Sequence, residues 1–485
     1  MSPLEAWIDR QYRLSATALV ASISATTLVR TRKAFGQTIV PREGSVLASP
    51  AVASYDPDPD YFFHWIRDAA LAIDALRVLI ASGHVPPAAL SYVHAYFRFS
   101  RALCDLNGSE SADFGSIRAE VEPGSLRYLR SETELLAIKG ERVLGEARYN
   151  PDGSLDMIRW PRPQHDGPAL RALTILRYWP LHLPPEMRPI MRELLRIDLD
   201  FTERHWREPC IDIWEEELGF HFYTRLMQHA ALAAGAAWAA AEGDACRAAD
   251  YEAGAESLRV ALCEHWSDED GIYRSRLPGP GLTPRKFLDA ATLLAVIHGG
   301  LPSGPFSVAD IKVHRTVQRL EELFETEYPI NEARPAGLGP AMGRYAGDSY
   351  YGGGAYYMTT LALAEFYYRL AIAIRSGAAA SASLLDEGAF RRWAAGPVPD
   401  KALARNTERQ DPAAAFLRKG DQVLTMIQRC TPPSGELSEQ FDRTTGRQAS
   451  AKNLTWSYAA FIMAAEARKG ALRAASKDSS EPAMA

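Results

Sequence analysis

The stretch IDIWEEELGF, residues 211–220, sets three consecutive glutamates, Glu215, Glu216 and Glu217, between Trp214 and an apolar Leu218-Gly219-Phe220. A solvated helix face spreads its acids at three- and four-residue spacing and pairs them with Lys or Arg. Here the neighbours are Ile211, Ile213 and Trp214, and the nearest base upstream is Arg207. Carboxyls in apolar company are candidates for moving protons rather than for solvation. The string alone does not say which of the three works.

Four further stretches crowd acids, arginines and aromatics together. In YDPDPDYFFHWIRDAA, residues 55–70, Trp65, Arg67 and Asp68 open a helical pattern. Charge at a helix start is ordinary; read functionally, Arg67 and Asp68 offer a donor and an acceptor side by side for adjacent hydroxyls. Asp56, Asp58 and Asp60 alternate like the start of a calcium loop, but prolines fill the gaps and no glycine follows, which argues against calcium. In WPRPQHDGPALR, residues 160–171, Asp166 suits an N-cap with Pro168 in the first turn. Capping leaves Trp160, Arg162 and Gln164 unexplained, and these suggest a binding wall. GRYAGDSYYGGGAYY, residues 343–357, is glycine-rich without either phosphate-loop signature, so Arg344 and Asp348 fit a sugar-facing loop better than a nucleotide loop. The fourth, GELSEQFDRTTGRQASAKNLTWSYAAF at 435–461, carries Glu436 and Glu439 ahead of a turn and Trp456 at the start of a helical pattern.

Helices must position these loops. Apolar residues at 3.6-residue spacing mark twelve candidates: 3–26, 67–82, 86–104, 165–181, 186–207, 216–241, 246–266, 286–299, 307–327, 353–376, 411–429 and 452–470. IRWPRP and GIYRSRL could form short strands, and 268–284 and 329–352 read as Gly/Pro-rich loops. Twelve helices without a repeat fit an all-α toroid of six hairpins in two rings, with the long loops clustered on one face. No long linker divides the chain, so one domain is expected over 1–470, with a flexible small-residue tail at 471–485.

The bulk properties exclude several classes. The 485 residues carry a net charge of −6 and a pI near 6.1, which offers no basic field for nucleic acid or anionic membrane. Five scattered cysteines form no CxxC or Cys/His cluster, so neither a zinc site nor a disulfide framework is expected, and reduced thiols in a cytoplasmic protein fit best. Ser and Thr interrupt the apolar stretch from Leu14 to Leu28, so an amphipathic first helix is expected there rather than an export signal. No cofactor, metal or membrane is expected, and the chain is expected to be a monomer.

Taken in order, these stretches resemble glycoside hydrolase family 15, the glucoamylases, and its fungal-type members in particular. The matching elements are DYFFHWIRD, WPRPQHDGPALR, DIWEE, GRYAGDSYY and SEQFD followed by SAKNLTWSYA, from about residue 4 to 467. The resemblance implies an (α/α)6 barrel and an inverting, exo-acting release of β-D-glucose from non-reducing chain ends. By the same resemblance Glu215 is the general acid and Glu439 the general base that activates water. Loss of hydration beside Trp214 would favour the protonated form of Glu215. Glu216 would bind the sugar on the leaving-group side and Asp212 would support the acid electrostatically. Tyr61 would stand beside the attacking water, and Arg67 and Asp68 would hold the terminal glucose. Trp65, Trp160 and Arg344 would line the pocket, with Asp348 and Trp456 behind it.

The chain departs from the family at Tyr356, where a tryptophan is usual, and at Glu217 to His221. These positions lie toward the leaving group and bear on linkage and chain length. With no starch-binding module or Ser/Thr-rich linker in the sequence, soluble malto-oligosaccharides are the expected substrates, with α-1,6 linkages or trehalose as alternatives. A catalytically silent sugar-binding barrel is disfavoured by the presence of both Glu215 and Glu439. A lyase or epimerase on such a barrel would call for His or Tyr bases.

Overall fold

The computed structural model describes residues 2–51, 58–109, 118–277, 286–378, 393 and 411–478. Among the described residues all twelve expected helices are present: α1 (Pro3–Ala21), α2 (Ile66–Ala81), α3 (Leu90–Leu103), α4 (Asp166–Tyr178), α5 (Met187–His205), α6 (Phe222–Ala241), α7 (Ala245–Cys263), α8 (Ala291–Gly299), α9 (Ile311–Glu327), α10 (Tyr357–Arg375), α11 (Pro412–Cys430) and α12 (Thr455–Asp478). Their starts follow side-chain chemistry where it is available. Asp310 accepts from the Lys312 N–H ahead of α9, and Asp411 accepts from Ala413 N–H ahead of α11, where Pro412 needs no acceptor.

The chain divides into two compact units. The first comprises Ser15–Leu262 with Ala451–Ala459; the second comprises Met1–Leu14, Cys263–Ser450 and Ala460–Ala485.

In the first unit α4 is the central helix and packs on α2, α5 and α6. Gly167 permits its approach to α2, because a Cβ there would lie 2.9 Å from that of Ile66. Arg171 of α4 grips Asp198 of α5 through Nη2 and Nε at 2.6 and 2.8 Å. Both are fully buried, so the pair fixes one register between the helices and either partner alone would be costly. Two short ladders carry loop residues. β3 (His64–Trp65) pairs antiparallel with β4 (Arg148–Tyr149), setting Trp65 opposite Arg148. β5 (Cys210–Ile211) and β6 (Leu218–Gly219) close a hairpin around residues 212–217.

In the second unit α10 packs on α8 and α11. Strands β9 (Ala355–Tyr356), β10 (Gln440–Phe441) and β11 (Gln448–Ala449) form a three-stranded antiparallel sheet with β10 central. Tyr356 and Gln440 are direct cross-strand partners.

Three local expectations are corrected. The sixth helix starts at Phe222 rather than 216, so the three glutamates lie in a hairpin turn. IRWPRP forms a single bridge, Ile158 to Leu129, whereas GIYRSRL does supply a strand at Ile272–Tyr273. Helix α12 continues to Asp478, eight residues into the expected tail; residues 479–485 lie outside the described set, as do 278–284 of the expected loop.

Candidate active site

The hairpin of the first unit presents Glu215 in a strained turn. Its φ is +64°, a left-handed conformation that non-glycine residues adopt at a cost of about 1–3 kcal/mol and that clusters at functional sites. Asp212, buried beneath, holds the turn together. Its Oδ1 accepts from the backbone N–H groups of Glu216 at 2.7 Å and Glu217 at 3.1 Å, while its own carbonyl accepts from Glu215 N–H at 2.9 Å. Asp212 therefore fixes the backbone of the turn that carries Glu215. Glu216 is exposed, and Trp214 is half-buried in the same turn.

The Glu215 side chain does not sit in dry apolar contact. Trp65 donates its indole N–H to Oε1 at 2.7 Å, and Gln164 donates its amide to the same oxygen at 2.8 Å. Trp160 donates its indole N–H to Oε2 at 2.5 Å, and an Arg67 nitrogen lies 3.5 Å from Oε1. The expected apolar wedge around Trp214 is thus replaced by donors from two other tryptophans. These rings meet edge-on, their centroids 6.1 Å apart, with Tyr61 against Trp65 at 5.4 Å.

Arg67 is the hub of this cluster. It reaches Asp166 at 3.0 Å and Gln164 at 3.1 Å, lies 3.4 Å from Asp68, and its guanidinium stands 5.8 Å from the Trp456 ring. Burial works against its charge, but Asp166, Asp68 and Glu215 outweigh that and keep it protonated. Asp166 is consequently an ion-pair partner rather than the expected N-cap; the N-cap of α4 is His165, with no side-chain cap bond. Asp68 is pushed up to about 6, first by burial and then by Glu215 and Asp166, with Arg67 pulling the other way. Asp68 Oδ2 and Arg67 Nε are both buried and face each other at 3.4 Å as an ion pair without hydrogen-bond geometry. Ligand hydroxyls inserted at this long contact would give each atom a partner at hydrogen-bond distance. Asp58 and Asp60 are neutralised by Lys452 and by Arg30 with Arg32, which leaves neither free for calcium; Asp56 lies outside the described residues.

The second unit carries the other predicted carboxylate. Glu439 is buried, and the Ser450 hydroxyl donates to its Oε2. Ser450 itself is held at φ +60°. The backbone of Glu439 is pinned by the sheet: its carbonyl accepts from Tyr357 N–H at 3.1 Å, and the Gln440 amide donates to the Tyr356 hydroxyl at 2.9 Å. Burial first, and Glu439 nearby, push the Tyr356 hydroxyl well up, so it stays a neutral phenol. Arg344 is clamped by Asp348 through two bonds of 2.7 and 2.5 Å, and its guanidinium stands 5.2 Å from Tyr350 and 5.5 Å from Tyr356. Asp348 thus fixes Arg344 as a planar fork.

The site residues that sequence reasoning missed are Gln164 as a partner of Glu215, Asp166 as a partner of Arg67, and Ser450 on Glu439. Among the described residues no group of three or more His, Cys, Asp or Glu is arranged to hold a metal, and no helix is long and apolar enough to cross a membrane.

A sequence profile of glycosyl hydrolases family 15 matches residues 131–466, more than half of the chain and both carboxylate-bearing loops. The chain belongs to this family. Glucoamylase 1 of Rhizopus oryzae is 27% identical over 481 residues, covering 97% of this chain and 72% of the relative. The intracellular sporulation-specific glucoamylase of Saccharomyces cerevisiae is also 27% identical, covering 97% and 85%. Among solved structures, the Hypocrea jecorina family 15 glucoamylase superposes with a TM-score of 0.75 at 25% identity, covering 96% of this chain and 72% of that one. The Saccharomycopsis fibuligera glucoamylase gives 0.75 at 24%, covering 97% and 96%. The family 15 chain described here shares their all-α, (α/α)6 fold.

Proposed function

We propose that this family 15 protein is an inverting, exo-acting glucoamylase that releases β-D-glucose from the non-reducing ends of soluble α-glucans and malto-oligosaccharides. The observation that carries the reading is the Glu215 cluster, a carboxyl held by two indole N–H groups in a strained turn beside the buried Arg67–Asp68 ion pair. That pair offers a donor and an acceptor side by side for adjacent sugar hydroxyls.

In the reaction Glu215 gives its proton to the glycosidic oxygen as the C1–O bond breaks. Glu439 takes a proton from the water whose oxygen attacks C1. Each carboxyl ends with the other's initial charge, and the configuration at C1 inverts. The Ser450 hydroxyl donates to Oε2 of Glu439 and so helps to orient the carboxylate that takes the water proton. Arg67 and Asp68 hold the terminal glucose, Trp65 and Trp160 form its apolar wall, and Arg344, braced by Asp348, donates to further hydroxyls. Tyr61 would steady the attacking water, Trp456 backs Arg67, and Trp214 and Glu216 on the hairpin would meet the leaving sugar.

Residues 1–470 are proposed to act as one catalytic domain, monomeric, and resident in the cytoplasm. Its five unpaired cysteines suit a reducing compartment, and one similar yeast glucoamylase is named intracellular. Hydrolysis of maltose, isomaltose, trehalose and maltopentaose in parallel tests the reading. Preference for maltopentaose and maltose supports it, and trehalose or isomaltose as the preferred substrate would reassign the linkage.

A further inference from the structure

Arg148 is the partner of Trp65 across the β3–β4 ladder, and none of its side chain is exposed. A buried guanidinium usually spends its five N–H groups on acceptors. Here only Nε does so, donating to Asp156 at 2.8 Å; Nη1 and Nη2 have no hydrogen-bond partner. The guanidinium carbon lies instead 4.0 Å from the Phe63 ring centroid, 3.7 Å from that of Trp160 and 5.2 Å from that of Trp65. Ion pairing alone does not account for this. Asp156 already has Arg162 at 3.2 Å, and a residue needed only for charge would turn its Nη groups toward oxygen. What Arg148 does make is a cation–π stack, an interaction that strengthens when both partners are desolvated.

Two of the rings it touches are the ones whose N–H groups hold the two oxygens of Glu215. Trp160 is gripped from a second side as well, because Arg162 donates to its carbonyl at 2.8 Å. We propose that Arg148 is a positioning residue of the hydrolytic reaction: its guanidinium locks the Trp160 and Trp65 indoles so that their N–H groups aim at Glu215. A cation on the ring face also draws density from the indole and strengthens its N–H as a donor. The inference rests on the reading of Glu215 as the general acid.

The test separates proton donation from folding by comparing maltose with α-D-glucosyl fluoride, whose leaving group departs without a proton. The variants are Arg148→Met, Arg148→Gln, which can still hydrogen-bond Asp156 if Met disturbs folding, and Arg148→Lys, which restores a cation over the rings. For Met or Gln, kcat on maltose should fall about tenfold or more while the fluoride rate stays within about threefold, and Lys should recover most of the maltose loss. A parallel fall on both substrates, or no fall on either, overturns the proposal. Glu215→Gln in the same assay isolates the underlying reading. If it spares the fluoride and loses maltose, the acid is Glu215 and a failure at Arg148 belongs to Arg148 alone. If it loses both equally, the acid assignment falls and the positioning role falls with it.

Discussion

Asp68 should carry opposite effects on stability and activity. Its carboxyl is raised from 3.8 to about 6, burial being the largest cause. The folded state therefore binds this proton more tightly than the unfolded chain. Stability is fully present below the unfolded value and is lost as pH rises toward 6. A shift of two units and a fraction, at about 1.36 kcal/mol per unit, gives about 3 kcal/mol. Asp68→Asn removes the titration while keeping the shape. Urea melts of both proteins at about pH 4 and about pH 7.5 should show near-equal stability at the lower pH and an advantage of about 3 kcal/mol for the variant at the higher. Activity should move the other way. A hydroxyl donating to a charged carboxylate is worth about 1.5–3 kcal/mol, so kcat/KM on maltose should drop roughly 10- to 150-fold. A stability difference independent of pH would refute the argument that ionised Asp68 is held at a cost for binding.

Glu439→Gln should lower kcat by about 10² or more while glucose or inhibitor binding stays within a few-fold, because its task is on water; isothermal titration and steady-state rates check both halves. Asp348→Ala strips Arg344 of both carboxylate bonds and should raise KM for maltose about tenfold or more with a smaller change in kcat, read from initial rates. Tyr356→Phe deletes the hydroxyl that accepts from Gln440, and should change the maltose-to-isomaltose rate ratio more than it changes the rate on maltose. Early digestion of a long maltodextrin should give glucose alone, resolved by chromatography. A ladder of maltose and maltotriose would mean that Arg67 and Asp68 do not close the site.

The helices were legible because their signal is local: helices such as Met187–His205, Ile311–Glu327 and Pro412–Cys430 show an apolar period in their own windows, and tertiary packing moved only the ends. The acid turn was not. Apolar residues at 211, 213, 214, 218 and 220 are compatible with a helix, and nothing in the string marks a two-residue ladder with Glu215 at positive φ. The identity of Glu215 and Glu439 came through motif resemblance, whereas their partners depended on distance in sequence. Asp166 meets Arg67 across 99 positions and Gln164 meets Glu215 across 51, so capping was the only local reason to notice Asp166. Arg148 was invisible for the same reason. Its environment is made by Phe63, Trp65 and Trp160, and only the closed β3–β4 ladder brings it to them.

The central claim is that Glu215 and Glu439 act as acid and base in a single displacement at C1. Proton NMR of maltopentaose hydrolysis, followed before mutarotation, tests it most directly. The account predicts that the first glucose signal to appear is the β anomer. Initial release of α-D-glucose would contradict it, since retention requires a covalent glycosyl intermediate and would make one of the two carboxylates a nucleophile.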